Sequence, residues 1–391
     1  MQAAAQLLEL YSLGLNAVKG DQAVYQALMA QGTQAACHLV AIGKAAEAMY
    51  QGAQRYFDKD IKTALLISKY GHFSPELLAE RKITVLEAAH PVPAESSLLA
   101  GQALLQYLAQ LPANEPVLFL ISGGASSLCE VLEEGWTLEK LQAATQDKLA
   151  EGASIAEINA MRKQLSRIKG GKLWQFISKR PVSCLLISDV QGDDPAVIGS
   201  GLLFPAPAHP EFTWQIVASN QQMLAAIQAS RLEPPNSAEQ TLPLHIMPEF
   251  LSIEAVEAAK RCVAFLKTQS AGIYVWGGET TVNLPANPGR GGRNQHFALA
   301  AALELALVAD QGISLLCAAT DGTDGVTDDA GGLVDGQTLA RGQLENLDPV
   351  ACLQRADAGR FLAASGDLIT TGPTGTNVMD LVIALKTSCP N

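Results

Sequence analysis

The chain has 391 residues, with 27 lysines and arginines against 39 aspartates and glutamates, which gives a formal net charge of −12. A chain of this length exceeds the roughly 250 to 300 residues at which a single hydrophobic core stops growing, so we expect two domains. The acidic balance, without a dense block of lysine and arginine, argues against nucleic acid as the main ligand, because neutralising phosphates requires clustered cations.

Apolar and cysteine patterns narrow the class of protein further. Apolar runs such as 117–121 and 182–187 are far shorter than the roughly 20 residues needed to cross a bilayer. The N-terminus reaches Glu9 before any basic residue, unlike the charged start of a signal peptide. The seven cysteines include no C-x-x-C pair, so they predict buried thiols rather than a disulfide framework or a zinc site. We therefore expect a cytoplasmic protein.

In chain order, the first 30 residues place apolar side chains at helical spacing and predict an amphipathic opening helix. Short apolar runs then alternate with helix-length stretches, and we predict strands at 38–42, 63–67, 83–88, 117–121, 182–187 and 215–218. Hydrophobicity in these runs is continuous rather than alternating, which indicates burial on both faces of a mostly parallel sheet flanked by helices. This pattern is typical of a doubly wound α/β domain.

Two proline-rich passages, at 204–210 and 234–243, interrupt this rhythm, and we place a domain boundary near the second. Beyond it we predict helices at 252–269 and 294–309 and strands at 273–276, 314–318 and 381–385. The sequence therefore predicts two α/β/α domains, a Rossmann-like domain over 1–238 and a smaller α/β domain over 239–391.

Most of the predicted strands end in a cluster of glycine, serine, threonine and aspartate, at the edge where open α/β sheets bind their ligands. These clusters lie at 43–44, 122–127, 188–194, 277–281, 320–325 and 366–367. The cluster at 122–127 is a Gly-rich turn with two further serines, Ser126 and Ser127. Such turns bind phosphate when they open onto a helix, through backbone N–H groups and the helix dipole. An ordinary β–α turn would have a similar sequence, so the turn alone does not decide the ligand.

A basic segment follows in the first domain. Ser154 and Glu157 form a capping box that starts a helix with one apolar face. The cations on and after this helix, which bracket Gly170 and Gly171, are Arg162, Lys163, Arg167, Lys169 and Lys172. Both an anion site and a solvated basic helix face fit this pattern.

Carboxylates in the strand-end clusters suit a hard cation, since Mg²⁺ takes one or two carboxylates together with substrate phosphates and water. The candidates are Asp189, Asp193, Asp194, Asp321 and Asp324. Aspartate is also favoured where loops need side-chain acceptors, which leaves turn chemistry as the alternative for each.

The segment 289–293, Gly-Arg-Gly-Gly-Arg, precedes a predicted helix. Arginine pairs bidentately with carboxylate or phosphate, so a planar anion is a natural ligand for this segment, with a flexible surface loop as the alternative. Several standard motifs are missing from the sequence: G-x-x-x-x-G-K-[ST], a strict G-x-G-x-x-G, H-E-x-x-H and G-x-S-x-G. The sequence therefore disfavours a P-loop enzyme, a standard Rossmann dehydrogenase, a zincin and an α/β-hydrolase.

Motifs distributed in order over nearly the whole chain resemble the glycerate 2-kinase family. Those similar to its N-terminal domain lie at 41–46, 121–128, 165–172 and 187–195, and those similar to its C-terminal MOFRL domain lie at 277–282, 289–295, 319–325 and 372–377. Met379 departs from the family pattern, which has a polar residue before Asp380. The resemblance implies a glycerate kinase domain over 1–238, a MOFRL domain with a mixed sheet over 239–391, and an active site in the cleft between them.

The resemblance also implies an activity: ATP-dependent phosphorylation of D-glycerate at its 2-hydroxyl, giving 2-phosphoglycerate and ADP, with Mg²⁺ or a similar divalent cation. The partners are then small molecules, without nucleic acid or membrane, and a homodimer is compatible with them. Two other functions stay open. One is an NAD(P)H-dependent hydroxypyruvate reductase, which the missing dinucleotide motif disfavours, and the other is a non-catalytic protein that binds a hydroxy acid or a nucleotide.

Our hypothesis for the site assigns roles to residues within these motifs. We expect Lys44 to bind the transferring phosphoryl group or the glycerate carboxylate, with a solvated lysine at a helix start as the alternative. We expect Arg293 to bind the other anion. Asp189 and Asp321 would hold the metal or orient the attacking hydroxyl, and Asp194 is a further candidate metal ligand. The expected nucleotide-binding residues are Ser122, Gly123, Gly124, Ser126, Ser127, Lys169, Gly170, Gly171 and Asn377.

Overall fold

The chain packs into two compact units in the computed structural model. The structure describes residues 2–32, 35–79, 83–150, 155–177, 179–230, 242–308 and 312–387. Residues 18–219 and 375–378 form one unit, called the parallel-sheet unit, and residues 1–17, 220–374 and 379–391 form the other, called the mixed-sheet unit.

Helices and strands alternate along most of the chain. The strands are β1 (Cys37–Ile42), β2 (Ile61–Lys69), β3 (Ile83–Ala88), β4 (Val117–Ile121), β5 (Val182–Ile187), β6 (Phe212–Ala218), β7 (Leu244–Ile246), β8 (Gly272–Gly278), β9 (Ile313–Ala319), β10 (Gly331–Asp335), β11 (Leu368–Ile369) and β12 (Asp380–Lys386). The helices are α1 (Gln2–Ala17), α2 (Gly20–Gln31), α3 (Ala46–Phe57), α4 (Pro75–Leu78), α5 (Glu95–Gln110), α6 (Ala125–Leu128), α7 (Leu138–Ala150), α8 (Ile155–Leu165), α9 (Asn220–Ser230), α10 (Ala255–Thr268), α11 (Arg293–Ala306), α12 (Thr338–Gln343), α13 (Pro349–Gln354) and α14 (Ala358–Ser365). Within the described ranges, no helix is both long and apolar enough to span a membrane.

The parallel-sheet unit is built on a sheet with the strand order β3-β2-β1-β4-β5-β6, and its strand pairings are parallel. Every residue of β1 and β4 is buried, as their continuous hydrophobic runs predict. Ile42 pairs with Ile121, so the carboxyl ends of β1 and β4 lie side by side. The strand order reverses between these two strands, and such a switch point is where doubly wound sheets bind ligands. The predicted doubly wound fold is confirmed.

The mixed-sheet unit has the strand order β11-β10-β9-β12-β8-β7. Strand β7 runs parallel to β8, while the other pairings are antiparallel. Helices α10 and α11 supply much of its core, and their buried faces are rich in alanine, which lets the helices pack closely. The expected smaller α/β domain with a mixed sheet is thus confirmed.

The N-terminal helix α1 belongs to the mixed-sheet unit, although it comes first in the sequence. It packs against β9, β12 and α9, and the Tyr11 hydroxyl donates a hydrogen bond of 2.6 Å to the carbonyl of Ala319. Packing therefore divides the chain differently from the linear domains at 1–238 and 239–391. Those sequence domains stay a prediction, and the boundary between them falls outside the described residues.

The predicted single opening helix is wrong in one respect, because the structure has two helices, α1 and α2. The backbone of Lys19 is extended, with φ −64° and ψ 133°. The N–H of Gly20 donates to the carbonyl of Gly375 at 2.9 Å, and a methyl group at Gly20 would lie 2.9 Å from the same oxygen. The start of α2 is thus set by a distant segment, which helical periodicity does not reveal.

Cysteines behave as small apolar core residues, as predicted. The six that the structure describes are buried and unbridged, and Cys389 lies outside the described residues. Burial raises the pKa of Cys37 and of Cys129 to about 12. At neutral pH these two thiols are therefore protonated and poor nucleophiles.

Candidate active site

Two turns meet at the switch point of the parallel sheet. The turn after β1 carries Gly43 and Lys44, and the turn after β4 is the Gly-rich turn at 122–127. The N–H of Lys44 donates to the carbonyl of Gly123 at 2.9 Å. The N–H of Ser122 donates to the carbonyl at the end of β1 at 3.0 Å. These bonds join the two turns, so Lys44 and the Gly-rich turn are neighbours in the structure.

Ser122 fixes the Lys44 turn. It is fully buried, and its Oγ accepts a hydrogen bond of 3.1 Å from the N–H of Ala45. The adjacent Gly43 has φ 133°, and a methyl group on it would lie 2.2 Å from Ser122 Oγ. Only glycine fits there without displacing the serine. The Ser122 hydroxyl, expected to bind the nucleotide, is thus engaged within the protein.

Gly124 lies between two side chains that carry chemistry. It has φ 86° and immediately precedes α6. A methyl group on it would lie 3.2 Å from His90 Nε2 and 3.3 Å from Lys44 Cγ. His90 and Lys44 therefore both border the Gly-rich turn. His90 was missed by sequence reasoning, although it follows β3 and so reaches the same carboxyl edge of the sheet.

Asp189 and Asn377 lie against Gly123. A methyl group on Gly123 would lie 2.0 Å from Asn377 Nδ2 and 2.1 Å from Asp189 Oδ2. The Asn377 amide donates to Asp189 Oδ2 at 3.5 Å. Asp189 follows β5, whereas Asn377 comes from the segment 375–378, far along the sequence. Two expected site residues thus meet over the backbone of the Gly-rich turn.

Ser126 and Ser127 lie in the short helix α6. The Ser200 hydroxyl donates to Ser126 Oγ at 2.8 Å, and the Ser127 hydroxyl donates to the carbonyl of Gly124 at 3.1 Å. Ser127 is buried, while Ser126 is only half-buried. Of the two hydroxyls, that of Ser126 is the better placed to meet a ligand.

Lys169 lies in the interior of the parallel-sheet unit. Its side chain is 0% exposed and forms an ion pair with Glu130, which is 1% exposed. Burial lowers the pKa of the Lys169 ammonium, while the charge of Glu130 opposes this shift and that of Arg162 adds to it. The structure thus gives this expected phosphate ligand an internal partner.

Gly170 and Gly171, the other expected phosphate ligands of this segment, are also engaged internally. Their N–H groups donate to the carbonyls of Ser200 and Gly201 at 3.0 and 2.7 Å. The backbone of both glycines lies in the left-handed region, with φ values of 62° and 78°. A methyl group on Gly171 would lie 2.4 Å from the carbonyl oxygen of Pro205. The segment is therefore packed closely against its neighbour at 200–205.

Other cations of the basic segment also have partners within the protein. Lys172 Nζ lies 3.1 Å from Glu133 Oε1, and Lys163 Nζ donates to the carbonyl of Ala196 at 2.7 Å. These two cations therefore bind groups of the protein itself. Neither an open anion site nor a solvated helix face predicts such contacts. Ser154 of the predicted capping box lies outside the described residues.

The turn after β5 uses two of the candidate carboxylates. Asp194 is exposed, and its Oδ1 accepts a hydrogen bond of 2.9 Å from the N–H of Ala196. Asp193 has φ 55°, a conformation that aspartate tolerates in turns. In the part of the chain that the structure describes, no three His, Cys, Asp or Glu side chains converge as a metal site.

Arg293, the first residue of α11, binds two carboxylates of the mixed-sheet unit. Its Nε and Nη2 donate to the two oxygens of Asp380 at 2.6 and 3.0 Å, and its Nη1 lies 3.0 Å from Glu279 Oε1. Burial alone would lower the pKa of the guanidinium, but Asp380 and Glu279 raise it above its ordinary value. The side chain is 35% exposed, so an anion can reach a group that two carboxylates hold in position.

Asp324 caps the N-terminus of α11. It is 1% exposed, and its oxygens accept from the N–H groups of Asn294 at 3.1 Å and Gln295 at 2.8 Å. Burial raises its pKa to about 7, the hydrogen bonds from these two amides oppose the shift, and Asp380 adds to it. Its contacts are those of a structural cap, in line with the turn-chemistry alternative.

Asp321, directly after β9, has a related local role. Its Oδ1 accepts from the N–H of Thr323 at 2.9 Å and from the hydroxyl of the same residue at 3.2 Å. Burial raises the pKa of Tyr11 above its ordinary value, and the charges of Asp321 and Asp380 raise it further. The backbone of Ala319, two residues before Asp321, pairs with that of Asp380, so Asp321 lies in the neighbourhood of the carboxylate that binds Arg293.

Met379 precedes Asp380 in a strained conformation. Its φ is 69°, in the left-handed region, and its side chain is buried. Its carbonyl accepts from the N–H and the hydroxyl of Thr320 at 2.9 and 2.6 Å. A non-glycine residue keeps such a conformation only where its surroundings impose it. The departure from the family pattern thus falls on a residue that ties β12 to the turn after β9.

Known proteins resemble this chain over nearly its full length. Residues 6–231 match the model of a domain of unknown function, DUF4147, and residues 272–380 match that of the MOFRL family. The chain is 36% identical to the D-glycerate 2-kinase of Thermotoga maritima, with 97% of each chain covered. It is 33% identical to an Agrobacterium vitis protein provisionally named a hydroxypyruvate reductase, with 88% of this chain and 98% of that one covered.

A solved structure shows the same architecture. The crystal structure of glycerate kinase from Thermotoga maritima matches this chain with a TM-score of 0.81 and 33% sequence identity. The match covers 97% of this chain and 98% of that one.

Proposed function

The chain belongs to the glycerate 2-kinase family, and from this premise we propose that it transfers the γ-phosphoryl group of ATP to the 2-hydroxyl of D-glycerate, giving 2-phosphoglycerate and ADP. The proposal rests on one observation: over nearly its full length the chain is similar in sequence to a D-glycerate 2-kinase, and it is similar in fold to a glycerate kinase. Small-molecule substrates follow from this activity, and the homodimer stays a prediction.

The Gly-rich turn at the switch point suits the phosphates of ATP. Gly123 and Gly124 have no side chains of their own, which lets other polar side chains approach the backbone of the turn, and Ser126 offers a partly exposed hydroxyl. Phosphoryl transfer depends chiefly on positioning and on neutralising charge. Lys44, whose stem borders Gly124, would supply the cation for the transferring group. Lys169, paired with Glu130 in the interior, would not touch phosphate.

Mg²⁺ would be held by Asp189, whose carboxylate lies against the backbone of the Gly-rich turn: a methyl group on Gly123 would lie 2.1 Å from its Oδ2. The Asn377 amide, which donates to the same carboxylate, would fix its orientation. Asp194 and Asp321 each have an oxygen engaged in a turn, so they fit a metal less well. When bound, Mg²⁺ would neutralise phosphate charge and orient the transferred group. Since one or two carboxylates suffice for Mg²⁺, a three-carboxylate cluster is not required.

Arg293 is suited to bind the carboxylate of glycerate or a phosphate oxygen. Its contacts with Asp380 and Glu279 hold the guanidinium rigidly, and its raised pKa keeps it charged across the working pH range. A guanidinium held in this way loses little conformational freedom when an anion binds. That Arg293 and Lys44 serve one reaction stays a prediction.

A hydroxypyruvate reductase is the second candidate, because some relatives carry that provisional name. The turn after β1, Gly-Lys-Ala at 43–45, lacks the glycines with which dinucleotide-binding folds approach a pyrophosphate. The residues that border the neighbouring Gly-rich turn at 122–127 are a lysine, a histidine and a carboxylate, which favour phosphoryl transfer over hydride transfer.

Two parallel assays separate these functions. The purified protein is incubated with D-glycerate, ATP and Mg²⁺, and ADP release is followed; a second sample receives hydroxypyruvate with NADH or NADPH. We expect ADP release that depends on D-glycerate, and no consumption of reduced cofactor. Cofactor consumption without ATP would support the reductase. Thermal stabilisation by ligands without turnover in either sample would support a binding protein.

A further inference from the structure

His90 lies at the carboxyl edge of the parallel sheet, and none of the roles above is assigned to it. It comes two residues after β3, whose last residue, Ala88, pairs with the last residue of β2. Lys44, the Gly-rich turn at 122–127 and Asp189 follow β1, β4 and β5 at the same edge. Open α/β sheets bind ligands outside this edge, so His90 belongs to the region that the proposed reaction would use.

The imidazole of His90 presents one particular edge to the Gly-rich turn. A methyl group on Gly124 would lie 3.1 Å from His90 Cδ2 and 3.2 Å from His90 Nε2, so these two ring atoms face the turn. The same methyl group would lie 3.3 Å from Lys44 Cγ. The space beside Gly124 is therefore bordered both by an imidazole nitrogen and by the stem of a lysine.

This space can be reached from solvent. Gly124, His90 and Lys44 are all half-buried, so each keeps part of its surface exposed. Ser126, in the same turn, is half-buried as well. Its Oγ accepts a hydrogen bond from the Ser200 hydroxyl at 2.8 Å, which leaves its own hydrogen to donate. The turn thus offers three side-chain donors to a solute: an ammonium, an imidazole N–H and a hydroxyl.

The backbone beside His90 is fixed by α5. The N–H of Ala89 donates to Ser96 Oγ, in the first turn of α5, at 3.1 Å. The N–H of Glu130, just after the Gly-rich turn and α6, donates to the carbonyl of Ser97 at 3.0 Å. His90 is therefore tied through α5 to the segment that follows the Gly-rich turn. A side chain on a backbone held in this way loses little freedom when a ligand binds.

Phosphate is the anion that suits this set of donors. Lysine neutralises charge, but as a compact charge on a flexible stem it fixes the direction of a ligand only weakly. The imidazole N–H of His90, on a separate turn, adds a donor with a defined direction, and the Ser126 hydroxyl adds a third donor. A terminal phosphate group has three oxygens to accept these hydrogen bonds, whereas a carboxylate has two.

We propose that His90 binds phosphate: its Nε2–H donates to the same phosphate group of ATP that the Lys44 ammonium neutralises. The choice of ATP rests on the proposed kinase function, whereas the phosphate chemistry rests on the donors around Gly124. The imidazole acts as a hydrogen-bond donor and not as a base. A side chain that presents an N–H at the same position can therefore replace it.

The test is a calorimetric titration of the full chain with inorganic triphosphate in buffer that contains Mg²⁺, a probe with the phosphates of ATP but without its nucleoside. In His90→Leu, the Kd for triphosphate should rise about tenfold, a loss of about 1.4 kcal/mol. His90→Gln should stay within about threefold of the parent, because its amide nitrogen is as many bonds from Cα as Nε2 is. His90→Asn, whose amide nitrogen matches Nδ1 instead, should lose as much affinity as His90→Leu.

His245→Leu is the matched control, because His245 is an exposed histidine on β7 of the mixed-sheet unit. It should leave the Kd for triphosphate unchanged. A second titration, with D-glycerate, should give the same Kd in the parent and in the His90 variants. Circular dichroism checks that every variant folds. Recovery of triphosphate binding by glutamine but not by asparagine is a result that a purely structural role of His90 would not produce.

Other outcomes would overturn the proposal. These are a parent protein that does not bind triphosphate, a His90→Leu variant that binds it normally, a His90→Gln variant as weak as His90→Leu, or a loss of affinity for D-glycerate instead. Because the titrations measure no turnover, they separate the two claims. If triphosphate binds through His90 but the parent does not phosphorylate D-glycerate, the phosphate site stands and the kinase function falls. If D-glycerate is phosphorylated and His90→Leu binds triphosphate normally, only the role of His90 falls.

Discussion

Replacing Lys169 by methionine separates a structural role for this lysine from a role in binding phosphate. The side chains of Lys169 and Glu130 are 0% and 1% exposed, so the substitution leaves a carboxylate buried without its counterion. A second variant, Lys169→Met with Glu130→Leu, removes both charges while keeping similar volumes. If the pair serves packing alone, the double variant should recover the stability that the single variant loses.

The burial of the ion pair determines how much stability Lys169→Met should lose. Breaking a buried ion pair from one side costs about 3 to 5 kcal/mol, a large part of the roughly 5 to 15 kcal/mol that stabilises a typical domain. For a domain of roughly 150 to 250 residues this corresponds to a fall in Tm of about 6 to 20 °C. The double variant should lie within about 2 kcal/mol of the parent, because it loses mainly the hydrogen bond that Glu130 accepts from the N–H of Val131.

The assay is urea unfolding followed by circular dichroism, together with kcat/KM for the proposed reaction. Lys172→Met is the matched control. It breaks the pair with Glu133 and removes the hydrogen bonds that Lys172 donates to the carbonyls of Gln164 and Ser166. The Lys172 and Glu133 side chains are 30% and 43% exposed, so a cost below about 2 kcal/mol is expected. If Lys169→Met cost no more than this control, or if the double variant were as unstable as the single one, the reasoning from burial would be refuted. A stable Lys169→Met protein with lost ATP binding would instead restore the phosphate role.

Three further predictions concern the two units. Gly123→Ala should lower kcat/KM at least about 100-fold while Tm changes by only a few degrees, because the new methyl group displaces two side-chain ends rather than backbone. Gly71→Ala is the control for activity: its methyl group meets open space, although its φ of 75° makes the substitution cost about 1 to 2 kcal/mol of stability. Equal activities of the two variants would contradict the site. Lys44→Ala should lower kcat/KM more than about tenfold, and a loss within about threefold would remove Lys44 from the mechanism. Burial raises the pKa of Asp324 to about 7, so between about pH 4 and pH 7 the native state holds a proton that the unfolded chain has lost. The free energy of unfolding should therefore fall as pH rises through this window. Urea midpoints measured at both ends should fall less in Asp324→Asn than in the parent, and identical falls would reject the pKa shift.

Sequence patterns predicted the centre of the parallel sheet well because β1, β4 and β5 are buried on both faces. The apolar runs at 117–121 and 182–187 coincide with β4 and β5, and the clusters after β1 and β4 lie at the switch point. Continuous hydrophobicity and strand-end glycines are local signals, so they are visible without tertiary information.

Features that depend on distant partners could not be predicted in this way. Lys169 looks like a surface cation until Glu130, 39 residues away, is placed beside it in the interior. Asn377 reaches Asp189 across 188 residues. The sequence also did not indicate that Ser122 holds the Lys44 turn. A serine whose hydroxyl is buried cannot be told from one whose hydroxyl is exposed by its place in a Gly-rich motif.

The central claim, transfer of a phosphoryl group to the 2-hydroxyl of D-glycerate, is tested most directly by ³¹P NMR of the reaction mixture with ATP and Mg²⁺. Phosphorus shifts distinguish the 2- and 3-phosphoglycerates and resolve both from inorganic phosphate. We predict that 2-phosphoglycerate and ADP accumulate together. Accumulation of 3-phosphoglycerate, or of inorganic phosphate and ADP alone, would contradict the account.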